Sequence, residues 1–143
     1  VIIVILQLAA IMKLSFSAPL AFPLAAFWGR FSQIFAIEKY EYLFKKESSS
    51  IHHENWKGLS KEIRPSLVIF SIGIILFLSL TSLNISNTFL LTYCILSGLI
   101  TSILIPNLIN KYLGGHSGDS YGASLVITET TNLLLLSIIL VPN

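Results

Sequence analysis

Between Pro65 and Asn110 the chain runs 46 residues without a single Asp, Glu, Lys or Arg. A helix needs roughly 20 apolar residues to cross the hydrocarbon core of a bilayer. The run is therefore too long for one crossing and about right for two. Its natural break is Ser82-Leu83-Asn84-Ile85-Ser86-Asn87, which is polar and turn-prone. Over the whole chain only 11% of residues are charged and 54% are hydrophobic, whereas soluble domains carry about 25% charged residues. These features define an all-α, polytopic, helical integral membrane protein whose partner is the lipid bilayer.

About five apolar segments follow from the pattern, within one domain. The first, near 1–13, is apolar apart from Gln7 and ends at Lys13, whose stem can snorkel to the interface. It begins at Val1-Ile2-Ile3-Val4 with no basic leader, so it reads as the second half of a span in a fragment of a longer protein. The second, near 14–37, contains Pro19 and Pro23 and is expected to be a proline-bent or re-entrant span. Two spans near 65–83 and 87–106 follow, the latter ended by Pro106. A glycine-rich loop over 107–122 then leads to a last span near 123–141.

Residues 38–64 form a polar loop with eleven of the chain's sixteen charged residues, six of them basic. By the positive-inside rule this loop is cytoplasmic and the 82–87 turn exoplasmic. Two crossings later the glycine loop, which begins beside Lys111, returns to the cytoplasmic side. The expected location is the cell inner (plasma) membrane. A net charge of +2, without basic clusters interleaved with aromatics, excludes a nucleic-acid partner. Cys94, the one cysteine, cannot form an internal disulfide or a cysteine metal site and reads as a lipid- or core-facing residue.

Chemistry concentrates around Asp119. Gly114, Gly115, Gly118 and Gly122 surround it, remove side-chain bulk and let backbone N–H groups approach a phosphate. Magnesium favours one or two carboxylates plus substrate phosphate oxygens, so Asp119 is a candidate metal ligand. Two structural alternatives stand beside this: an Asp-capped turn, or a face of glycines at 114, 118 and 122 for helix–helix contact. Glu129 sits inside an apolar segment, where a carboxylate is costly and so paired, functional or near water. It is a candidate ligand, a support for the site, or a partner for Arg30. Arg30 can grip phosphate with parallel N–H bonds. His52 and His53 read as solvated loop residues beside an interfacial Trp56. No Walker loop, nucleophile elbow or HExxH is present.

The stretch Leu113-Gly114-Gly115-His116-Ser117-Gly118-Asp119-Ser120-Tyr121-Gly122-Ala123, followed by Glu129 and Leu133 to Leu136, resembles the C-terminal signature of the cobalamin synthase family, the adenosylcobinamide-GDP ribazoletransferases. Gly29-Arg30, Tyr40-Glu41-Tyr42-Leu43 and Trp56-Lys57-Gly58-Leu59 extend the likeness over the whole chain. Ser117 stands where the family usually has threonine, and Glu41 where proline is common. The family's earlier acidic cluster is absent from this chain.

The resemblance implies a membrane-bound, Mg²⁺-dependent transferase of cobalamin biosynthesis. Its substrates would be adenosylcobinamide-GDP and α-ribazole or its 5′-phosphate, with attack by the 5′-hydroxyl and GMP leaving. Other cobalamin-assembly enzymes are candidate partners. Asp119 and Glu129 would be catalytic, with Asp119 on the metal. Arg30, Gly114, Gly115, Ser117, Gly118 and Gly122 would bind substrate phosphate. Without the acidic cluster the chain alone is expected to be inactive. The alternative is a non-catalytic helical membrane subunit or half-transporter in which Arg30, Asp119 and Glu129 line a polar path.

Overall fold

The computed structural model describes residues 1–15, 18–43, 56–80 and 85–139. Among these the fold is helical: α1 (Ile2–Leu14), α2 (Ala18–Lys39), α3 (Leu59–Glu62), α4 (Arg64–Leu80), α5 (Ile85–Leu113) and α6 (Gly118–Ile139). The one β feature among them is a single bridge between Tyr42 and His116. Two helical stretches, Leu91–Leu113 and Gly118–Ile139, are long and apolar enough to cross a membrane, and Ile2–Leu14 is a shorter apolar helix.

Helix α6 is the centre of the bundle. Tyr121 packs with Ala36 and Ile37 of α2, and Ser124 and Thr128 meet Ser32. Leu125 and Glu129 meet Gly29, while Leu133 and Leu136 share a cluster with Ala21, Leu24 and Ala25. Numbers fall along α2 as they rise along α6, so the two helices are antiparallel. On α5, Pro106 is bonded to His116 and Thr101 to Asn132, and Cys94 lies in the cluster with Leu133 and Leu136. Thus α5 and α6 form an antiparallel hairpin. On α1, Gln7 bonds Thr130, and Ala10 and Leu14 join the Leu133 cluster, so α1 runs parallel to α6.

The side chains explain this arrangement. Among the buried positions of α2, Ala21, Ala25, Gly29, Ser32 and Ala36 form a row of small residues that lets α6 approach closely. A Cβ built on Gly29 would lie 3.0 Å from the Leu125 carbonyl oxygen and 3.2 Å from Glu129 Cβ. In return α6 buries Ser120, Ser124, Thr128 and Asn132, one per turn. Thr128 Oγ1 donates to Ser32 Oγ at 3.0 Å. Asn132 Nδ2 donates to Thr101 Oγ1 at 2.8 Å and to the Thr128 carbonyl at 2.9 Å. Interhelical bonds of this kind contribute about 0.6 kcal/mol each in membranes; close packing carries the rest. Helix α4 attaches from the side, through Phe70 stacked on Phe27 at 4.1 Å.

Three expectations change. The second apolar segment, expected to be a proline-bent or a re-entrant span, is one continuous helix, so only the re-entrant alternative falls. Pro19 falls in its first turn, where an N–H would have no helical partner, and Pro23 removes one bond that packing on α6 offsets. Pro106 does not end its helix, which continues to Leu113, because the ring is fully buried and its packing outweighs the lost bond. The final helix starts at Gly118 and not near 123, so the glycine loop shrinks from 107–122 to residues 114–117. Cys94, read as lipid- or core-facing, is a buried core residue. His52, His53 and residues 81–84 of the expected turn lie outside the described residues.

The close approach at Gly29 predicts that Gly29→Leu forces α2 from α6. Overpacking of this kind costs roughly 1–3 kcal/mol. Thermal unfolding of the full-length protein in detergent should show a lowered midpoint; an unchanged midpoint would contradict the packing described.

Candidate functional site

The antiparallel arrangement gathers the end of α2, the end of α5 and the start of α6 at one end of the bundle. Trp56 closes over that end: it packs on the Ala36–Ile37–Tyr121 cluster, and its indole N–H donates to the Glu38 carboxylate. Residues 40–43, which follow α2, and the glycine turn are therefore neighbours in space.

The turn is built residue by residue. Gly114 takes φ 72°, a left-handed conformation that ends α5, and its N–H bonds the Asn110 carbonyl at 2.8 Å. Gly115 lies against the chain leaving α2, where a Cβ would come within 2.8 Å of Leu43 Cδ2 and 3.1 Å of the Glu41 carbonyl oxygen. That absence of a side chain permits the bridge. His116 N–H donates to the Glu41 carbonyl at 3.0 Å, and Leu43 N–H donates to the His116 carbonyl at 2.8 Å. Ser117 then caps α6. Its Oγ accepts from Ser120 N–H at 3.3 Å, and Ser120 Oγ accepts from Ser117 N–H at 2.8 Å, a reciprocal capping pair.

Capping thus falls to Ser117 and Ser120, which frees Asp119 of that duty. Asp119 lies in the first turn of α6 and is exposed, at the end where the helix dipole favours negative charge. Among the described residues nothing bonds its carboxylate. A Cβ at Gly114, Gly118 or Gly122 would meet nothing within 4 Å. These three glycines are not a helix–helix contact face; Gly114 is not helical, and the other two border open space. Gly118 precedes Asp119 on α6 and Gly122 follows it by three residues, so neither adds a side chain on that part of the helix.

Arg30 and Glu129 stand elsewhere. Gly29 packs on Leu125 and Glu129, so both residues lie at that level of the bundle. Ten residues separate Asp119 from Glu129 on one helix, about 15 Å of rise. Oxygen ligands sit about 2.1 Å from Mg²⁺, so the two carboxylates cannot share one ion. Arg30 is exposed and donates from Nη1 to Gln33 Oε1 at 2.7 Å. It forms no ion pair with Glu129, which corrects the structural pairing considered from sequence. Arg30 instead lines a groove of about 190 Å³ with Pro23, Ala26, Phe27, Ser66, Ile69 and Phe70. Among the described residues no three His, Cys, Asp or Glu side chains converge as a metal site.

The residues that sequence reasoning left without a role are Tyr40, His116, Ser120 and Tyr121. The His116 side chain is fully buried. Its ring lies nearly parallel to Tyr40 and Tyr121, with centroids at 5.1 and 5.4 Å. Nε2 is 3.1 Å from the Pro106 carbonyl oxygen, which can only accept, so Nε2 carries the proton. Nδ1 then accepts from the Ser120 hydroxyl at 3.0 Å, a single hydrogen that the Ser117 carbonyl at 3.1 Å shares. His116 stands inside the quoted motif, but its partners are up to 76 residues away in sequence, and no local pattern signals them.

Fold and site together define a helical membrane bundle that carries a glycine–aspartate turn on one face. The profile of the Cobalamin-5-phosphate synthase family matches residues 1–137, and the chain belongs to that family. It is 44% identical over 137 residues to an adenosylcobinamide-GDP ribazoletransferase of Prochlorococcus marinus (strain SARG / CCMP1375), covering 95% of this chain and 52% of the relative. A protein of the same name from Prochlorococcus marinus (strain MIT 9313) is 37% identical over 97% of this chain and 54% of its own length. One from Thermosynechococcus vestitus is 35% identical over 76% of this chain and 38% of its own length. The chain spans about half the length of the first two of these curated relatives. No solved structure matches it.

Burial holds the His116 imidazole below the ordinary histidine range, although its bond to the Pro106 carbonyl opposes this. The folded turn thus favours neutral His116, while an opened turn takes up a proton near pH ~6.5. Stability from this residue is full above that value and is lost as pH falls below it towards the folded-state value. Amides of residues 114–117 should exchange faster at pH 5 than at pH 7, after correction for intrinsic rates. Equal protection at both values would contradict the buried neutral imidazole.

Proposed function

We propose that this chain supplies one wall of the active site of a membrane-bound transferase. The enzyme joins adenosylcobinamide-GDP to α-ribazole, or to its 5′-phosphate, and releases GMP. The observation that carries the reading is the exposed, unshielded Asp119 carboxylate beside three glycine positions that border open space. The family and the names of its relatives support the substrate class.

The bond that forms joins a ribazole hydroxyl oxygen to the cobinamide-bound phosphorus. The bond that breaks joins that phosphorus to the oxygen bridging the two phosphates, which departs with GMP. If both forms of ribazole serve, the 5′-oxygen is unavailable in the phosphorylated one. The acceptor common to both is then a ribose ring hydroxyl, which revises the 5′-hydroxyl expected from the resemblance.

In this reading Asp119 orients that hydroxyl or holds a cation. A single exposed carboxylate on an open face fits Mg²⁺ held mostly by water and substrate oxygens; bound there, Mg²⁺ would offset phosphate charge. The bare edge formed by Gly114, Gly118 and Gly122 admits the phosphates, and the Ser117 cap fixes the first turn of α6. Arg30 and Glu129 lie too far along the bundle to act on the same phosphorus. They would bind another part of a substrate that extends down the bundle.

The polar side chains along α6 bond to neighbouring helices and to each other, which favours this reading over a polar conduction path. The face bearing Asp119 is cytoplasmic in this proposal, in the inner membrane, where other cobalamin-assembly enzymes would deliver and remove intermediates.

The full-length protein in membrane vesicles, supplied with both substrates and Mg²⁺, tests the assignment. Asp119→Asn should lower kcat by ~10²-fold or more, the scale of losing one preorganised electrostatic group. Glu129→Gln and Arg30→Gln should act mainly on KM. Normal Mg²⁺-dependent turnover by Asp119→Asn would remove Asp119 from the site.

A further inference from the structure

We propose that His116 is a positioning residue for this active site: it fixes the direction of Asp119 through Ser120. The proposal rests on the transferase reading above and adds a residue to it.

Three elements must be held in register for Asp119 to face a substrate: the chain leaving α2, the end of α5 and the first turn of α6. His116 touches all three. Its backbone makes both bonds of the bridge to Glu41 and Leu43. Its Nε2–H reaches the carbonyl of Pro106 on α5. Its Nδ1 holds the hydroxyl of Ser120 on α6. Tyr40 and Tyr121 flank the ring, from α2's exit and from α6. The residue is fully buried, so these bonds form out of competition with water.

Ser120 carries the constraint onward. The same hydroxyl oxygen that reaches Nδ1 also accepts from Ser117 N–H in the capping pair. Asp119 lies between Ser117 and Ser120, and its own side chain has no bond among the described residues. The direction of its carboxylate therefore follows the capped turn, and the buried side-chain anchor of that turn is His116. The imidazole is suited to this because its two nitrogens are different: one donates to a carbonyl while the other accepts from a hydroxyl. A primary amide presents the same pair of functions but cannot place both at these two partners. Asparagine matches the Nδ1 position with its oxygen, and glutamine matches the Nε2 position with its nitrogen.

The test uses the full-length protein in membrane vesicles with adenosylcobinamide-GDP and α-ribazole. His116→Ala should lower kcat about hundredfold, the scale of a misplaced catalytic group, with KM for each substrate changed less than about threefold. His116→Asn, which keeps the acceptor for Ser120, should recover activity to within roughly tenfold of the wild type. His116→Gln, which keeps only the Pro106 bond, should stay close to the alanine variant. Should His116→Ala fail to fold, the contrast between the asparagine and glutamine variants carries the test, because Ser120→Ala would also remove the cap on Ser117 N–H. A folded alanine variant with wild-type kcat would overturn the proposal. So would asparagine and glutamine variants that behave alike, because ring bulk alone would then explain the effect. Absence of product from the wild-type protein would instead overturn the transferase reading, so the two failures are distinguishable.

Discussion

Close packing of α2 on α6 is the constraint on which the other contacts depend. It requires the small residues Ala21, Ala25, Gly29, Ser32 and Ala36 on one helix and leaves α6 to present Ser120, Ser124, Thr128 and Asn132 in return. In an apolar medium there is little hydrophobic drive between helices, so contact area and buried hydrogen bonds must hold them together. With Gly29 against the Leu125 carbonyl, backbones come close enough for Ser32 and Thr128 to bond directly. The register this sets carries the last residues of α2 to the first residues of α6. The site exists because that register places residues 40–43 beside residues 114–117.

At that end the chain meets a second demand. Two helix termini and an exiting strand-like segment leave backbone groups that need partners. Gly114 satisfies a carbonyl of α5, Ser117 and Ser120 satisfy amides of α6, and the bridge satisfies Glu41, Leu43 and His116. Each of these solutions uses a residue other than Asp119. A carboxylate in the first turn of a helix commonly serves as a cap or as a charge on the dipole; here the cap is supplied by serines, and the acid is left exposed beside bare glycines. That combination is what the proposed site rests on.

Much of this was legible from residue order. The charge-free run from Pro65 to Asn110 announced helices in an apolar setting, and the glycines around Asp119 announced a place with little side-chain bulk. The boundaries were less legible. Pro106 reads as a stop, yet its ring packs in the core and the helix continues. Residues 118–122 read as loop because two glycines and a run of polar residues suggest one, yet Ser117 and Ser120 cap them into a helix. Cap geometry outweighs helix propensity at a terminus, and composition does not reveal which serine points where.

The sequence by itself determined the class of fold, the polar end-segments and the acidic residue at issue, because hydrophobic runs, charge and glycine content act locally and are read in order. Tertiary structure decided which polar residues work together. Asp119, Arg30 and Glu129 looked like one constellation, but helical rise separates Glu129 from Asp119 by about 15 Å, and Arg30 follows Gly29, which packs at the level of Glu129. His116 looked like a spacer between glycines and a serine, yet it joins Glu41, Pro106 and Ser120. The Asp119–Glu129 separation follows once α6 is known to be one helix, whereas the place of Arg30 and the contacts of His116 with Glu41 and Pro106 depend on how α2 and α5 pack on α6.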